Sequence, residues 1–96
     1  MYARVTQIRF PPSMRSEIAR VAQGLVPILR EQKGYQGLNV LTDAHSGEGT
    51  IISYWETQAD AEASETNFSY IGQMSMMSSL LQERLTPKTY QATVHT

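Results

Sequence analysis

The stretch Thr50–Glu56 reads TIISYWE, and it is apolar on both sides. Successive side chains of a strand point to opposite faces. Ile51, Ser53 and Trp55 therefore share one face, and Ile52 and Tyr54 share the other. The segment YARVTQIRF (Tyr2–Phe10) behaves alike, with Val5 on one face and Tyr2, Ile8 and Phe10 on the other. In GYQGLNVLTD, Leu38 and Val40 oppose Leu41. A sheet with one wet face carries apolar residues on alternate positions only. Helices can cover one of these faces. The second would be an open apolar surface of a kind that monomers seldom keep. The pattern predicts a homodimer whose two sheets pack into a shared barrel-like core.

The remaining periodicities fix the order of elements. Pro11 and Pro12 end the first strand, because proline cannot donate to a ladder, and Ser13 offers an N-cap oxygen for a helix. Met14, Ile18, Val21, Ala22, Leu25, Val26 and Leu29 then recur at helical spacing. They predict one helix of about 20 residues, closed by Gly34 and kinked by Pro27, which cannot donate to the Gln23 carbonyl. The second strand runs from about Gln36 to Thr42, and the two-glycine turn AHSGEG makes the third antiparallel to it. Thr57 and Asp60 match a capping box that opens a short helix to about Glu65. After TNFS, the stripe Tyr70, Met74, Met77 and Leu81 predicts a helix up to Pro87. KTYQATVH predicts a fourth strand.

The order is thus β-α-β-β-α-β, the ferredoxin-like split pattern of an α+β fold: four antiparallel strands with helices on one face. Ninety-six residues suit a single domain spanning 1–96. The chain has 8 basic and 9 acidic residues and a net charge of -1, with no basic block to attract nucleic acid. Zero cysteines exclude disulfides, thiolate metal sites and a cysteine nucleophile. No His/Asp/Glu cluster has metal-ligand spacing. The start MYARVTQIRF lacks the apolar core of a signal peptide, and no run reaches membrane-spanning length. The expectation is a soluble, cytoplasmic protein that binds neither nucleic acid nor membrane.

Two motifs carry a resemblance: GYQGLNVL, a glycine-aromatic-x-glycine entry to a strand, and ISYWETQADAEA, a strand ending in Trp-Glu before an acidic, alanine-rich helix. From Tyr2 to about Val94 the chain resembles the dimeric α/β barrel proteins of the antibiotic biosynthesis monooxygenase type. The resemblance implies a pocket between sheet and helices and a small-molecule substrate. It implies oxygenation of a small apolar or aromatic phenol or enol without a bound cofactor. Haem-opening relatives carry an asparagine on the first strand, a tryptophan on the helix after the third and a histidine ligand on the last long helix. Gln7, Ala63 and Gln73 stand near those places here. The polyketide-oxidising relatives place an asparagine four residues before the tryptophan, where this chain has Ile51.

Several residues are candidates for the chemistry, each with a plainer reading beside it. On the resemblance Trp55 faces the helices, as core, pocket wall or both. Ser53 shares that face. Gln7 and Asn39 are strand polar residues that either meet solvent or hold a substrate oxygen as hydrogen-bond partners in catalysis. Met74 and Met77 either fill core gaps or form the soft lining of a substrate pocket. Asn67 and Tyr70 open the last helix, as cap and surface aromatic or as polar groups at a pocket mouth. His45 offers a possible proton acceptor, with an exposed residue of a polar turn as its plainer reading. A non-catalytic small-molecule-binding or structural homodimer would use the same lining.

Overall fold

A computed structural model describes residues Met1–Thr96. The strands are β1 (Tyr2–Arg9), β2 (Tyr35–Thr42), β3 (Glu48–Trp55) and β4 (Lys88–Gln91). The helices are α1 (Arg15–Gln23), α2 (Leu25–Arg30), α3 (Gln58–Ala63) and α4 (Phe68–Ser79). One antiparallel sheet of order β2-β3-β1-β4 results. This is the α+β ferredoxin-like arrangement that the periodicities predict, and the sheet does not close on itself.

One face of the sheet is dry. Ile8, Phe10 and Ile51 form a core cluster with Ile18, Val21 and Ala22 of α1 and Met77 of α4. Trp55 heads a second cluster with Leu25 and Leu29 of α2 and Ala61 of α3. The register sets Thr6 opposite Ile51 and Val40 opposite Ile51 on the other side, so one parity across three strands meets the helices. The opposite parity carries Val5, Gln7, Asn39, Leu41, Ile52 and Tyr54 and has no helix over it. Leu41 is 56% exposed there, and Tyr90 of β4 is 49% exposed.

Four local expectations meet different outcomes. Ser13 caps nothing: it lies inside a single 3-10 turn, Pro12–Met14, with Pro at its start and no side-chain cap bond. The long first helix divides at Gly24 into α1 and α2. The Pro27 kink accounts for part of this, and α4 supplies the rest. Gln73 Nε2 donates to the Val21 carbonyl at 2.7 Å, and a Cβ on Gly24 would collide with that amide. The last helix stops at Ser79 rather than near Pro87. Beyond it Gln82 N donates to Arg9 O at 2.8 Å, and Leu80, Leu81 and Leu85 pack on the core as a strap. The fourth strand ends at Gln91 because its partner β1 begins at Tyr2, directly opposite.

The turns follow their sequence signals. Gly47 closes the β2–β3 connection at φ 73, where a Cβ would strike the Phe10 carbonyl oxygen. Asp43 Oδ1 accepts from the backbone N–H groups of His45 and Ser46 at 2.8 and 3.2 Å. Those bonds hold the Asp43 carboxyl below its usual range. Thr57 Oγ1 accepts from Asp60 N at 3.0 Å, as its cap signature requires.

Candidate functional site

α4 begins where Asn67 Oδ1 accepts from Tyr70 N at 2.9 Å, so the Asn67 side chain is spent as the helix cap. Helical spacing then stacks Tyr70, Met74 and Ser78 along one face and sets Ile71 and Ser75 beside it. This face, Thr6 of β1, Glu65 in the 3-10 turn before α4, and Leu85 and Pro87 of the strap enclose a cleft of about 410 Å³. The wall is mainly apolar. Its polar groups are the hydroxyls of Thr6, Tyr70, Ser75 and Ser78 and the Glu65 carboxylate.

Glu65 is fixed by Arg4, which reaches it from β1. Arg4 Nη2 approaches Glu65 Oε2 at 2.5 Å, and Arg4 Nε donates to Glu65 Oε1 at 3.2 Å. This is the two-pronged geometry that guanidinium and carboxylate share. Arg4 Nη1 donates to Thr89 Oγ1 of β4 at 2.6 Å. The Arg4 side chain is 13% exposed and that of Glu65 33%. Tyr70 lies close enough to feel both charges. Burial raises its phenol, the Glu65 charge raises it further, Arg4 opposes, and the result is about 12. At neutral pH Tyr70 is therefore a hydrogen-bond donor and not a base.

Of the residues expected at a site, Tyr70 and Met74 line the cleft together. Trp55 stands behind its wall: the indole is fully buried and its Nε1 donates to Ser53 Oγ at 2.8 Å. Tyr35 meets it edge-on, with ring centroids 5.8 Å apart. Tyr70 and Met74 pack against the Trp55 cluster, so Trp55 and Ser53 support the lining without reaching the cleft. Met77 is likewise fully buried in the core, and Asn67 belongs to the cap.

Gln7 and Asn39 are not brought to this site at all. They lie on the helix-free face, where Thr50 Oγ1 donates to Gln7 Oε1 at 2.9 Å and Tyr54 OH donates to Asn39 Oδ1 at 3.0 Å. Strand parity is the cause, since Gln7 must point opposite to Thr6 and Ile8, and Asn39 opposite to Leu38 and Val40. His45 sits exposed in the β2–β3 turn. Arg4, Glu65 and Thr6 are the polar residues that sequence reasoning missed. Arg4 shares its parity with Thr6 and Ile8, a signal that it faces the helices and needs a partner there.

No group of three or more His, Asp or Glu side chains is placed to hold a metal ion, and no helix is long and apolar enough to cross a membrane. Gln73, where haem-opening relatives have histidine, commits its amide nitrogen to Val21 O.

Among solved structures the chain is similar to a proposed antibiotic biosynthesis monooxygenase from Nitrosomonas europaea. That match has 13% identity and a TM-score of 0.82 over 98% of this chain and 100% of that one. A second proposed member, from Bordetella bronchiseptica, gives 12% identity and a TM-score of 0.84 over 97% of each chain. A Nitrosomonas europaea protein of unknown function gives 13% identity and a TM-score of 0.79 over 99% of this chain and 91% of that one. At such identities the likeness speaks for the fold alone. No curated protein matches the chain in sequence. The family model for antibiotic biosynthesis monooxygenases matches residues 1–69, most of the chain, and the chain therefore belongs to that family.

Proposed function

We propose that this protein is a cofactor-independent monooxygenase of small phenol- or enol-type compounds, and that it works as a cytoplasmic homodimer. The observation that carries the reading is the presence of Tyr70 and Glu65 together on the wall of a mainly apolar cleft. Glu65 is the only ionised acceptor on that wall, and the raised Tyr70 phenol keeps its proton as a donor.

The chemistry follows from those two roles. Glu65 takes the hydroxyl proton of a bound phenol, and Tyr70 donates to the oxyanion that forms. The proton moves onto Glu65, so the total charge in the cleft is unchanged, with Arg4 beside it. The electron-rich ring carbon then bonds to dioxygen. The O–O bond breaks, one oxygen stays on the ring as a quinone carbonyl, and the other leaves as water with the hydrogen of that ring carbon and the proton returned by Glu65. The substrate loses four electrons and dioxygen gains four. Met74, Ile71 and Leu85 supply the apolar contact for the ring.

Aerobic oxygen uptake with a panel of hydroquinones and naphthols tests this. Uptake above buffer is expected, and Tyr70→Phe should lower its rate about a hundredfold, the usual cost of one oxyanion donor. Uptake equal to buffer across the panel, with ligand binding retained, would leave a non-catalytic small-molecule binder of the same fold. The homodimer rests on the helix-free face, where Val5, Leu41, Ile52, Tyr54 and Tyr90 form an apolar surface.

A further inference from the structure

The charge around the cleft carries a statement about which ligands can enter. Of its nine lining residues one is ionised, Glu65, and none is basic. The nearest cation, Arg4, does not line the cleft. It lies behind Glu65, and each of its three nitrogens already meets an oxygen, two on Glu65 and one on Thr89. Among the other basic side chains near the wall, Lys88 stands over the Tyr90 ring, 5.3 Å from its centroid, on the helix-free face. Arg84 is exposed on the adjoining strap and does not line the cleft. A carboxylate or phosphate entering the cleft would find a like charge at the wall and no free cation to pair with.

We infer that Glu65 is a specificity-determining residue that restricts the cleft to uncharged, hydroxyl-bearing ring compounds and excludes their carboxylated or phosphorylated counterparts. The inference rests on the reading of this cleft as the binding site, but it concerns admission and not turnover. Four hydroxyls and one carboxylate suit a ligand that both donates and accepts, which a neutral phenol does and a carboxylate does not. Glu65 stands at the wall and Arg4 behind it, so an entering anion meets the negative end of the pair first, and exclusion of about tenfold is expected. Substituting Glu65 by glutamine keeps the shape, removes the negative charge and leaves the Arg4 charge uncompensated. The wall then changes from repelling anions to attracting them.

Calorimetric titration at neutral pH with a naphthol and with the hydroxynaphthoate of the same ring decides the matter. The wild-type protein should bind the naphthol at least about tenfold more tightly, and Glu65→Gln should cut that ratio by about tenfold or invert it. Hydroxynaphthoate binding to the wild-type protein as tightly as naphthol overturns the inference without using the variant. A wild-type preference that Glu65→Gln leaves intact overturns the role of Glu65. Failure of both compounds to bind overturns it as well, together with the assignment of the cleft. Naphthol that binds selectively but consumes no oxygen leaves the inference standing and removes the monooxygenase reading alone.

Discussion

The two faces of the sheet start from similar apolar content and end differently. On the helix side Ile8, Phe10, Ile51 and Trp55 are each 5% exposed or less. On the other side Leu41 and Tyr90 remain about half exposed, with Val5, Ile52 and Tyr54 partly covered by their own neighbours. The polar residues of the second face are nonetheless paired within the sheet, Thr50 with Gln7 and Tyr54 with Asn39. A polar group that has its partner in the same layer loses little when water is removed. The carbonyl oxygens of Gln7 and Asn39 thus already have partners on the helix-free face. Alternation assigns side chains to faces, and the lateral hydrogen bonds lower the cost of covering the open one.

Trp55→Ala attacks the covered face and should have the largest effect. It removes a fully buried indole and leaves the Ser53 hydroxyl, 2.8 Å from Nε1, without its donor. Loss of about 3–5 kcal/mol is expected in denaturant unfolding. A loss below about 1.5 kcal/mol would show that the Trp55 cluster is not the structural core of this half.

Ile52→Lys attacks the open face next. Ile52 stands between Val5 and Asn39 in the register, at the middle of the surface proposed to meet a twin molecule. In a two-fold interface the change occurs twice, so the dimer dissociation constant should rise about a hundredfold, near 3 kcal/mol. Sedimentation across a concentration series reads this directly. An unaltered association would move the interface to another surface, and a wild-type monomer at micromolar concentration would remove the dimer itself.

Face assignment and element order were legible in the sequence because both depend on short-range spacing. Tyr70 and Met74 could be grouped by their four-residue interval, and Thr57 and Asn67 occupy positions where caps form. The depth of each residue was not legible. Met77 belongs to the same stripe as Met74, yet it reaches the core while Met74 stops at the cleft. Gln7 and Asn39 stand out as polar residues in strands, although their parity opposes that of Ile8 and Leu38. Arg4 and Glu65 are 61 residues apart, and no local pattern announces a pair made by laying β1 against the 3-10 turn that follows α3. The division at Gly24 is half legible, through Pro27. The Gln73 amide that occupies the space beside Gly24 arrives from another helix.

The smallest expected effect tests whether the cleft is as dry at its base as the core behind it. The Tyr70 phenol is raised from 10.0 to about 12, first by burial, then by the charge of Glu65 against the opposing Arg4. Below about pH 10 both folded and unfolded chains hold this proton, and the group makes stability independent of pH. Between about pH 10 and 12 the unfolded chain has released it while the folded chain still holds it. The unfolded state then binds fewer protons, so stability falls as pH rises through this window. The gap sets a ceiling near 2.7 kcal/mol, and partial exposure of the ring reduces the expected loss to about 1–2 kcal/mol. Tyr70→Phe has no proton to release. Unfolding free energies at about pH 9 and pH 11.5 should therefore fall by about 1–2 kcal/mol less in the variant than in the wild-type chain. Equal falls would mean that water reaches the hydroxyl freely, and a phenol so solvated would be a weak donor to any oxyanion formed beside it.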